Sequence, residues 1–242
     1  MEKLAYYRRR TISRRRPDRY LSLIIVGMDN TKTSLPHFKD RKGKDLVLTI
    51  PMKTQVTGAI NHDTHQKFIF TDIYHYKHDS NLTLNILMKL LWEASKIQLS
   101  FLYVGHTHED IDQMFSVFSD RLRHTDATTL PGLHQHLYNA QELHAIGCYN
   151  VSGWLDPCIA GVKSYSKSNI FRYRYDEANK SVNVYYRKNS EQPWKTLRRG
   201  FFKVRPNGLP LLPNSNPPVL MASFHLLDMD VLKRAILSGQ RI

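Results

Sequence analysis

Apolar residues follow two spacings along this chain, and together these predict an α+β protein with an α/β-like core. Short alternating or continuous apolar runs predict strands at 20–26, 46–50, 54–60, 67–74 and 97–104. Spacings of three and four residues predict helices at 82–94 and from Ile111 to Leu122. The predicted order is therefore a strand meander, a helix, a strand and a helix.

The later part of the chain has a different pattern. A helix is predicted at 132–146, a β-hairpin from 170–175 and 181–187, and a short helix at 226–237. We divide the chain into a basic N-terminal arm (1–19), a core (20–146), an aromatic-basic β-hairpin region (147–205), and a Pro-rich linker with a C-terminal helix (206–242).

Ionisable residues concentrate where the strand at 97–104 passes into the next helix. In open α/β sheets, ligands and metals bind at such strand ends. Two imidazoles and three carboxylates lie here: His106, His108, Glu109, Asp110 and Asp112.

One interpretation of this segment is helix capping. Thr107 and Asp110 have the spacing of a capping box, and Asp112 would offset the helix dipole from the first turn. Capping explains one or two of these residues, but five ionisable groups exceed what it requires.

A second interpretation is a zinc hydrolase. His106, His108 and Asp110 have the H-x-H-x-D order of metallo-β-lactamase-like enzymes, in which His106 and His108 would bind zinc. Those enzymes usually carry another His where this chain has Ile111. The later histidines, at 134, 136 and 144, have no recognisable ligand spacing.

A third interpretation uses the order of elements, which is the outline of a ribonuclease-H-like fold with a C-terminal β-hairpin region. In such folds, carboxylates from separate elements converge on divalent metal ions that activate a water or a 3′-hydroxyl against a phosphodiester. Asp29, just past the first strand, would be the first acid, and Asp112 would be the acid on the closing helix.

Charge adds a partner to this picture. The 242 residues carry a net charge of +14, which favours a polyanionic partner, most simply nucleic acid and in particular DNA; an anionic membrane or a merely basic surface are the alternatives. Two cysteines form no disulfide framework, and no apolar run resembles a membrane span or a signal peptide. We therefore expect an intracellular protein, in the nucleus or the cytoplasm, with no membrane partner.

Basic residues cluster in two segments that are candidates for nucleic-acid contact. In the hairpin region, cations alternate with aromatic rings that can stack on bases. A solvated helix face and a charged sheet edge are the structural alternatives. The candidates are Arg8, Arg9, Arg10, Arg14, Arg15 and Arg16 in the arm, and Arg172, Arg174, Tyr186, Arg187, Trp194, Arg198 and Arg199 in the hairpin region.

Two segments carry a family resemblance. VGMDNTKTSLPHF (26–38) and FLYVGHTHEDIDQMFSVFSDRL (101–122) resemble an uncharacterised domain family of transposon-derived eukaryotic proteins, over roughly residues 6–125. Family members carry an Asp where Val26 stands. They also carry a segment with an Asp-Asn pair between the helix and the Gly-His-Thr-His strand, where this chain has only Ser95 and Lys96.

The resemblance implies a transposase-derived protein with an internal deletion. In the ribonuclease-H-like outline, the missing piece is the strand–helix unit that supplies one acid. We therefore expect a nucleic-acid-binding protein with impaired metal-dependent phosphodiester chemistry. Any remaining site would use Asp29 and Asp112 with His108 to bind Mg²⁺ or Mn²⁺, and His106 to orient a ligand or the water. The rival interpretation is a non-catalytic protein-interaction module.

Overall fold

A computed structural model of the protein describes nine segments of the chain. They are residues 2–17, 21–40, 51–73, 75–92, 109–160, 170–176, 181–189, 191–197 and 202–221. The predicted strands at 46–50 and 97–104 and the predicted helix at 226–237 lie outside these segments.

The described helices and strands form a mixed α+β architecture. The helices are α1 (Glu2–Arg15), α2 (Ser80–Trp92), α3 (Glu109–His124), α4 (Leu130–His134), α5 (Leu143–Ile146) and α6 (Val151–Leu155). The strands are β1 (Leu23–Gly27), β2 (Gln55–Asn61), β3 (Lys67–Asp72), β4 (Ala140–Glu142), β5 (Ile170–Asp176), β6 (Ser181–Arg187) and β7 (Lys195–Thr196).

The larger sheet has the strand order β1-β2-β3-β4, and its first three strands confirm the strands predicted at 20–26, 54–60 and 67–74. β1 pairs with β2 and β2 with β3 in antiparallel register, so that Val26 lies opposite Gly58 and Gly58 opposite Ile69. β4 then pairs in parallel with β3, with Ala140 opposite Ile69. The sheet is therefore mixed.

Helix α3 packs on one face of this sheet through the apolar stripe predicted from its sequence. Ile111, Phe118 and Leu122 are almost fully buried against sheet residues that include Val56 and Ile69. The backbone approach is close, because a Cβ added to Gly58 would lie 2.5 Å from Met114 Cε and 2.9 Å from the Phe115 ring. Glycine at the centre of β2 therefore permits this packing.

Helix α2 covers the opposite face of the sheet. Its buried residues Leu82, Ile86 and Leu90 pack with Phe70 and Ala59, which alternate with the residues facing α3. The helix starts where its sequence predicts, because Asp79 Oδ1 accepts hydrogen bonds from the backbone N–H groups of residues 81 and 82, at 2.8 and 3.3 Å. The core thus has three layers: α3, the sheet and α2.

The smaller sheet confirms the predicted hairpin. β5 and β6 are antiparallel, with Ile170 opposite Arg187 and Arg172 opposite Tyr185, and β7 adds a third strand beside β6. Ile170 and Val184 are buried. The register therefore puts Arg172 and Arg187 on one face of the sheet and Tyr186 on the other.

The predicted helix at 132–146 is wrong. This part of the chain forms α4, a turn, β4 and then α5. Asn139, immediately before β4, has a left-handed φ of 49°. The turn allows residues 140–142 to pair with the edge of β3, whose open backbone groups outweigh the local helical pattern.

Within the basic segment at 1–19, Glu2–Arg15 form helix α1, as in the structural alternative to a free arm. Tyr6 packs against the α3 side of the core, and Ser13 is buried.

Farther along the chain, part of the Pro-rich segment contacts the core, since Leu220 N–H donates to the Cys148 carbonyl at 2.8 Å. Among the described residues, no helix is long and apolar enough to cross a membrane.

Candidate functional site

Asp29 and Asp112 line one cavity of about 260 Å³. Asp29 follows the end of β1 and Asp112 lies in the first turn of α3, so two separate elements contribute the two acids. Both residues are exposed at the mouth of this cavity. The wall includes Val26, Met28, Lys32, Phe115, Ser116 and Ser119.

Asp29 has a local structural role in addition to its place in the cavity. Its Oδ1 accepts a hydrogen bond from Thr31 N–H at 3.0 Å and caps the 3₁₀ turn Asn30–Lys32. This backbone hydrogen bond, assisted by the nearby charge of Lys32, holds the pKa of Asp29 below its ordinary value. The carboxylate is therefore ionised near neutral pH, with one oxygen already engaged.

The donors that the described residues contribute to this cavity do not fit a two-metal centre. Two exposed carboxylates can bind one divalent cation, but Lys32 lines the same cavity and its positive charge opposes a second cation. Within the described segments, no group of three or more His, Cys, Asp or Glu side chains could hold a metal ion. His106 and His108 lie outside those segments, so their predicted roles remain predictions.

Asp110 belongs to a different polar cluster, on the N-terminal side of the same helix. Its carboxylate accepts hydrogen bonds from Arg10 Nη1 at 2.6 and 2.7 Å and from the Tyr6 hydroxyl at 3.0 Å. His62 Nε2 lies 3.3 Å from the same carboxylate, and His62 Nδ1 is 2.9 Å from Ser22 Oγ. We call Tyr6, Arg10, His62 and Asp110 the α1 anchor, because they join α1 to α3 and to the turn after β2.

Burial and charge act in opposite directions within the α1 anchor. Burial alone raises the pKa of Asp110, but the hydrogen bonds from Arg10 and Tyr6 outweigh it, so the pKa lies below its ordinary value. Burial lowers the pKa of His62, and the charge of Asp110 opposes this only in part. His62 is 1% exposed, so the neutral imidazole suits this site. No local sequence pattern reveals this cluster, because its members are as many as 104 residues apart.

Asp110 and Asp112 therefore face different surroundings, as expected for residues two positions apart on a helix. Asp110 is held by Arg10, and it is Asp112 that shares the cavity with Asp29. Arg10, a sequence candidate for phosphate contact, is committed to this ion pair instead.

A second buried polar group lies at the end of β3. Asp72 is 2% exposed, accepts a hydrogen bond from Tyr76 N–H, and lies 3.4 Å from His75 Nδ1. The His75 ring stacks on His144 at 4.4 Å between centroids. Burial raises the pKa of Asp72 and raises the pKa of neighbouring Cys148 to about 11, so this cysteine is a protonated thiol. Its alternation with Phe68 and Phe70 along the strand is the sequence signal that could have predicted this burial.

The later histidines each have a separate environment. His134 Nε2 is 2.9 Å from Thr71 Oγ1, His144 stacks on His75, and His136 belongs to neither arrangement. These residues supply no converging third ligand for the zinc interpretation among the described side chains.

In the hairpin region, two arginines form cation–π contacts with one ring, that of Trp194. The guanidinium carbons of Arg172 and Arg187 lie 4.3 and 4.2 Å from the centroid of the Trp194 ring. Arg172 is exposed, whereas Arg187 and Trp194 are half-buried. Tyr186 points to the other face, so it does not join this group. Arg174 is described only through its backbone in β5, and Arg198 and Arg199 lie outside the described segments.

The remaining basic candidates lie on α1. Arg9 is half-buried, whereas four arginines are exposed on the helix or just beyond its end. None of the ion pairs between described residues uses these four cations. The four are Arg8, Arg14, Arg15 and Arg16.

Comparison with protein families places most of these elements in one family. The model of a domain of unknown function (DUF7869) matches residues 44–96 and 94–191, more than half of the chain. The chain belongs to this family. The DUF7869 match includes β2, β3, α2, α3 and the hairpin, and so contains Asp112, whereas Asp29 and α1 precede it. No curated protein and no solved structure matches the chain.

Proposed function

We propose that this protein binds nucleic acid, most simply DNA, through its basic surfaces and does not cleave it. The main observation in support of nucleic-acid binding is a set of exposed arginines on α1 and just after it. These arginines form no ion pair with other described residues. With a net charge of +14, such a surface attracts phosphates and releases counterions on binding.

A transposase-derived, ribonuclease-H-like core with an internal deletion is the second part of the proposal. Three features support it: the β1-β2-β3 meander, the helices on both faces of the sheet, and two acids at one cavity, one just after β1 and one in α3. The DUF7869 match is divided at residues 94–96, and the chain has no unmatched residues between its two segments. This is the pattern expected when the chain lacks a piece that the family has, at the join where Ser95 and Lys96 stand.

Loss of cleavage follows from the chemistry of the cavity. Two-metal phosphodiester cleavage requires ligands that flank both cations. Asp29 and Asp112 are the carboxylates that the described residues bring to this cavity, whereas Asp110 is bound by Arg10 and Lys32 brings a positive charge.

The binding proposal is tested by titrating a random duplex oligonucleotide at several salt concentrations. Each phosphate contact contributes a log–log slope of about −0.9, so replacing Arg8, Arg15 and Arg16 by Gln should reduce the slope by about 2.7. Arg14 is left in place because its charge acts on His62 within the α1 anchor.

The matched control removes three exposed lysines elsewhere, by replacing Lys53, Lys67 and Lys77 with Gln. We expect this triple variant to change the slope by less than one. Equal effects of the two triple variants would show that α1 is not the binding surface. No binding by the parent protein at low salt would refute the proposal in favour of a protein-interaction module.

Absence of cleavage is tested by a plasmid-nicking assay with Mg²⁺ or Mn²⁺. We expect the parent protein and the Asp112→Asn variant to be equally inactive. Nicking by the parent that disappears in Asp112→Asn would show that the cavity retains a working metal site.

A further inference from the structure

Trp194 is one of the rings in the hairpin region that the sequence predicts to stack on bases, and in the structure two arginines contact it. An indole stacks on a base through its π face. Here two guanidinium groups lie within 4.3 Å of the ring centroid. The cations of the protein itself therefore compete for the surface that a base would use.

We propose that Arg172, whose guanidinium lies over the Trp194 ring, is a phosphate-binding group that contacts the nucleic-acid backbone without regard to base or strandedness. This inference rests on the proposed nucleic-acid binding and specifies its chemistry at this site. A guanidinium that lies on an aromatic ring uses its face for the ring and keeps its N–H edge for a planar, bidentate partner. Phosphate is the nucleic-acid group with that geometry.

The two arginines have different parts in this arrangement. Arg172 is exposed, so its N–H edge is accessible to a ligand. Arg187 is half-buried, and its Nη1 donates to the Gln192 carbonyl at 3.5 Å, in the segment that leads to Trp194. Arg187 is therefore a positioning residue that holds this segment and the indole beside Arg172.

The hairpin register makes the group rigid. Ile170, two residues before Arg172 and opposite Arg187, lies on the same face as both cations and is 2% exposed, so this end of the hairpin is packed. The backbone N–H of residue 197 also donates to the Val184 carbonyl at 2.8 Å, which ties the chain just after Trp194 to the centre of β6. A cation held in this way loses less conformational freedom when it binds than an exposed lysine does.

The test measures affinity and salt slope for the full chain with three probes of equal length: a duplex, a single strand and an abasic strand. Arg172→Ala should reduce the slope by about 0.9 on duplex and about 0.7 on the single strands. Arg172→Lys keeps the charge but loses the planar edge, so we expect about three- to fivefold weaker binding with a nearly unchanged slope.

Trp194→Leu removes the ring without changing the charge, and we expect about three- to fivefold weaker binding to all three probes. Lys195→Ala is the charge control, since Lys195 is an exposed cation on the adjacent strand. Its loss should weaken binding less than loss of Arg172. Far-ultraviolet circular dichroism and thermal unfolding of each variant verify that the protein remains folded.

Two results would overturn the inference. A loss in Trp194→Leu that is confined to probes with bases would show that the indole stacks on bases. Equal losses in Arg172→Ala and Lys195→Ala, with Arg172→Lys unchanged, would show a diffuse charge effect. In both cases the parent protein still binds nucleic acid, whereas failure of the parent to bind any probe would refute the proposed function itself.

Discussion

Replacement of Asp110 by Asn tests whether the α1 anchor holds α1 on the core. The substitution removes the charge that accepts hydrogen bonds from Arg10 and Tyr6. Breaking a fully buried ion pair costs about 3–5 kcal/mol, and an exposed pair contributes about 0–1 kcal/mol. The side chains of Arg10 and Asp110 are 22% and 23% exposed, so the pair lies between these limits. We expect the free energy of unfolding to fall by about 2–3 kcal/mol.

Urea unfolding at neutral pH measures this loss, and thermal unfolding should show a midpoint lower by about 5–10 °C for a chain of this size. Asp120→Asn is the matched control on the same helix. Asp120 is 68% exposed and lies 3.9 Å from His124 Nε2, so its loss should change stability by less than about 0.5 kcal/mol.

Asp110 also lies in the first turn of α3, where its charge offsets the helix dipole by about 0.3–1 kcal/mol. A double-mutant cycle with Arg10→Ala separates the two effects, because only the ion pair depends on both residues. We expect a coupling energy of about 1–3 kcal/mol. Equal losses in Asp110→Asn and Asp120→Asn, or a coupling energy near zero, would refute the anchoring role.

Two further predictions concern stability. Gly58→Ala should lower the free energy of unfolding by about 1–2 kcal/mol in urea, because the new Cβ would lie 2.5 Å from Met114 Cε. Gly27→Ala is the control and should be nearly neutral, because the nearest neighbour of its Cβ would be 3.9 Å away. Similar effects of the two substitutions would contradict the close packing of β2 on α3. The folded state lowers the pKa of His62, so it binds fewer protons than the unfolded state, and stability should fall as the pH drops below about 6.5. His62→Gln should reduce that loss between pH 7 and 5, whereas the exposed His124→Gln should not; identical pH profiles for the two variants would contradict this assignment.

Local sequence patterns correctly predicted the helices and strands whose tertiary packing matches their own apolar pattern. The alternation around Phe70 and the apolar stripe from Ile111 to Leu122 each specify a buried face. Any globular fold that buries these faces contains the same strand and helix. The cap at Asp79 involves only adjacent backbone groups, so its helix start could also be predicted. The α+β class follows from these elements.

The candidate cavity could be predicted in part. Asp29 and Asp112 were singled out because each stands at the end of a predicted element, and the structure brings both to one cavity. Lys32 in the same wall could not be predicted, since it is placed by the 3₁₀ turn that Asp29 itself caps.

Tertiary structure alone decided the features that depend on partners distant in the chain. Residues 140–142 pair with β3 because a sheet edge offers backbone hydrogen bonds that a local helical pattern cannot anticipate. Arg10 pairs with Asp110, 100 residues away, because the core places α1 beside α3 and a partly buried carboxylate is stabilised by a cation. Trp194 collects Arg172 and Arg187 because the register of the hairpin sets those two side chains on one face. Sequence determines which residues carry charge and which faces are apolar, and the packed fold determines which charges meet.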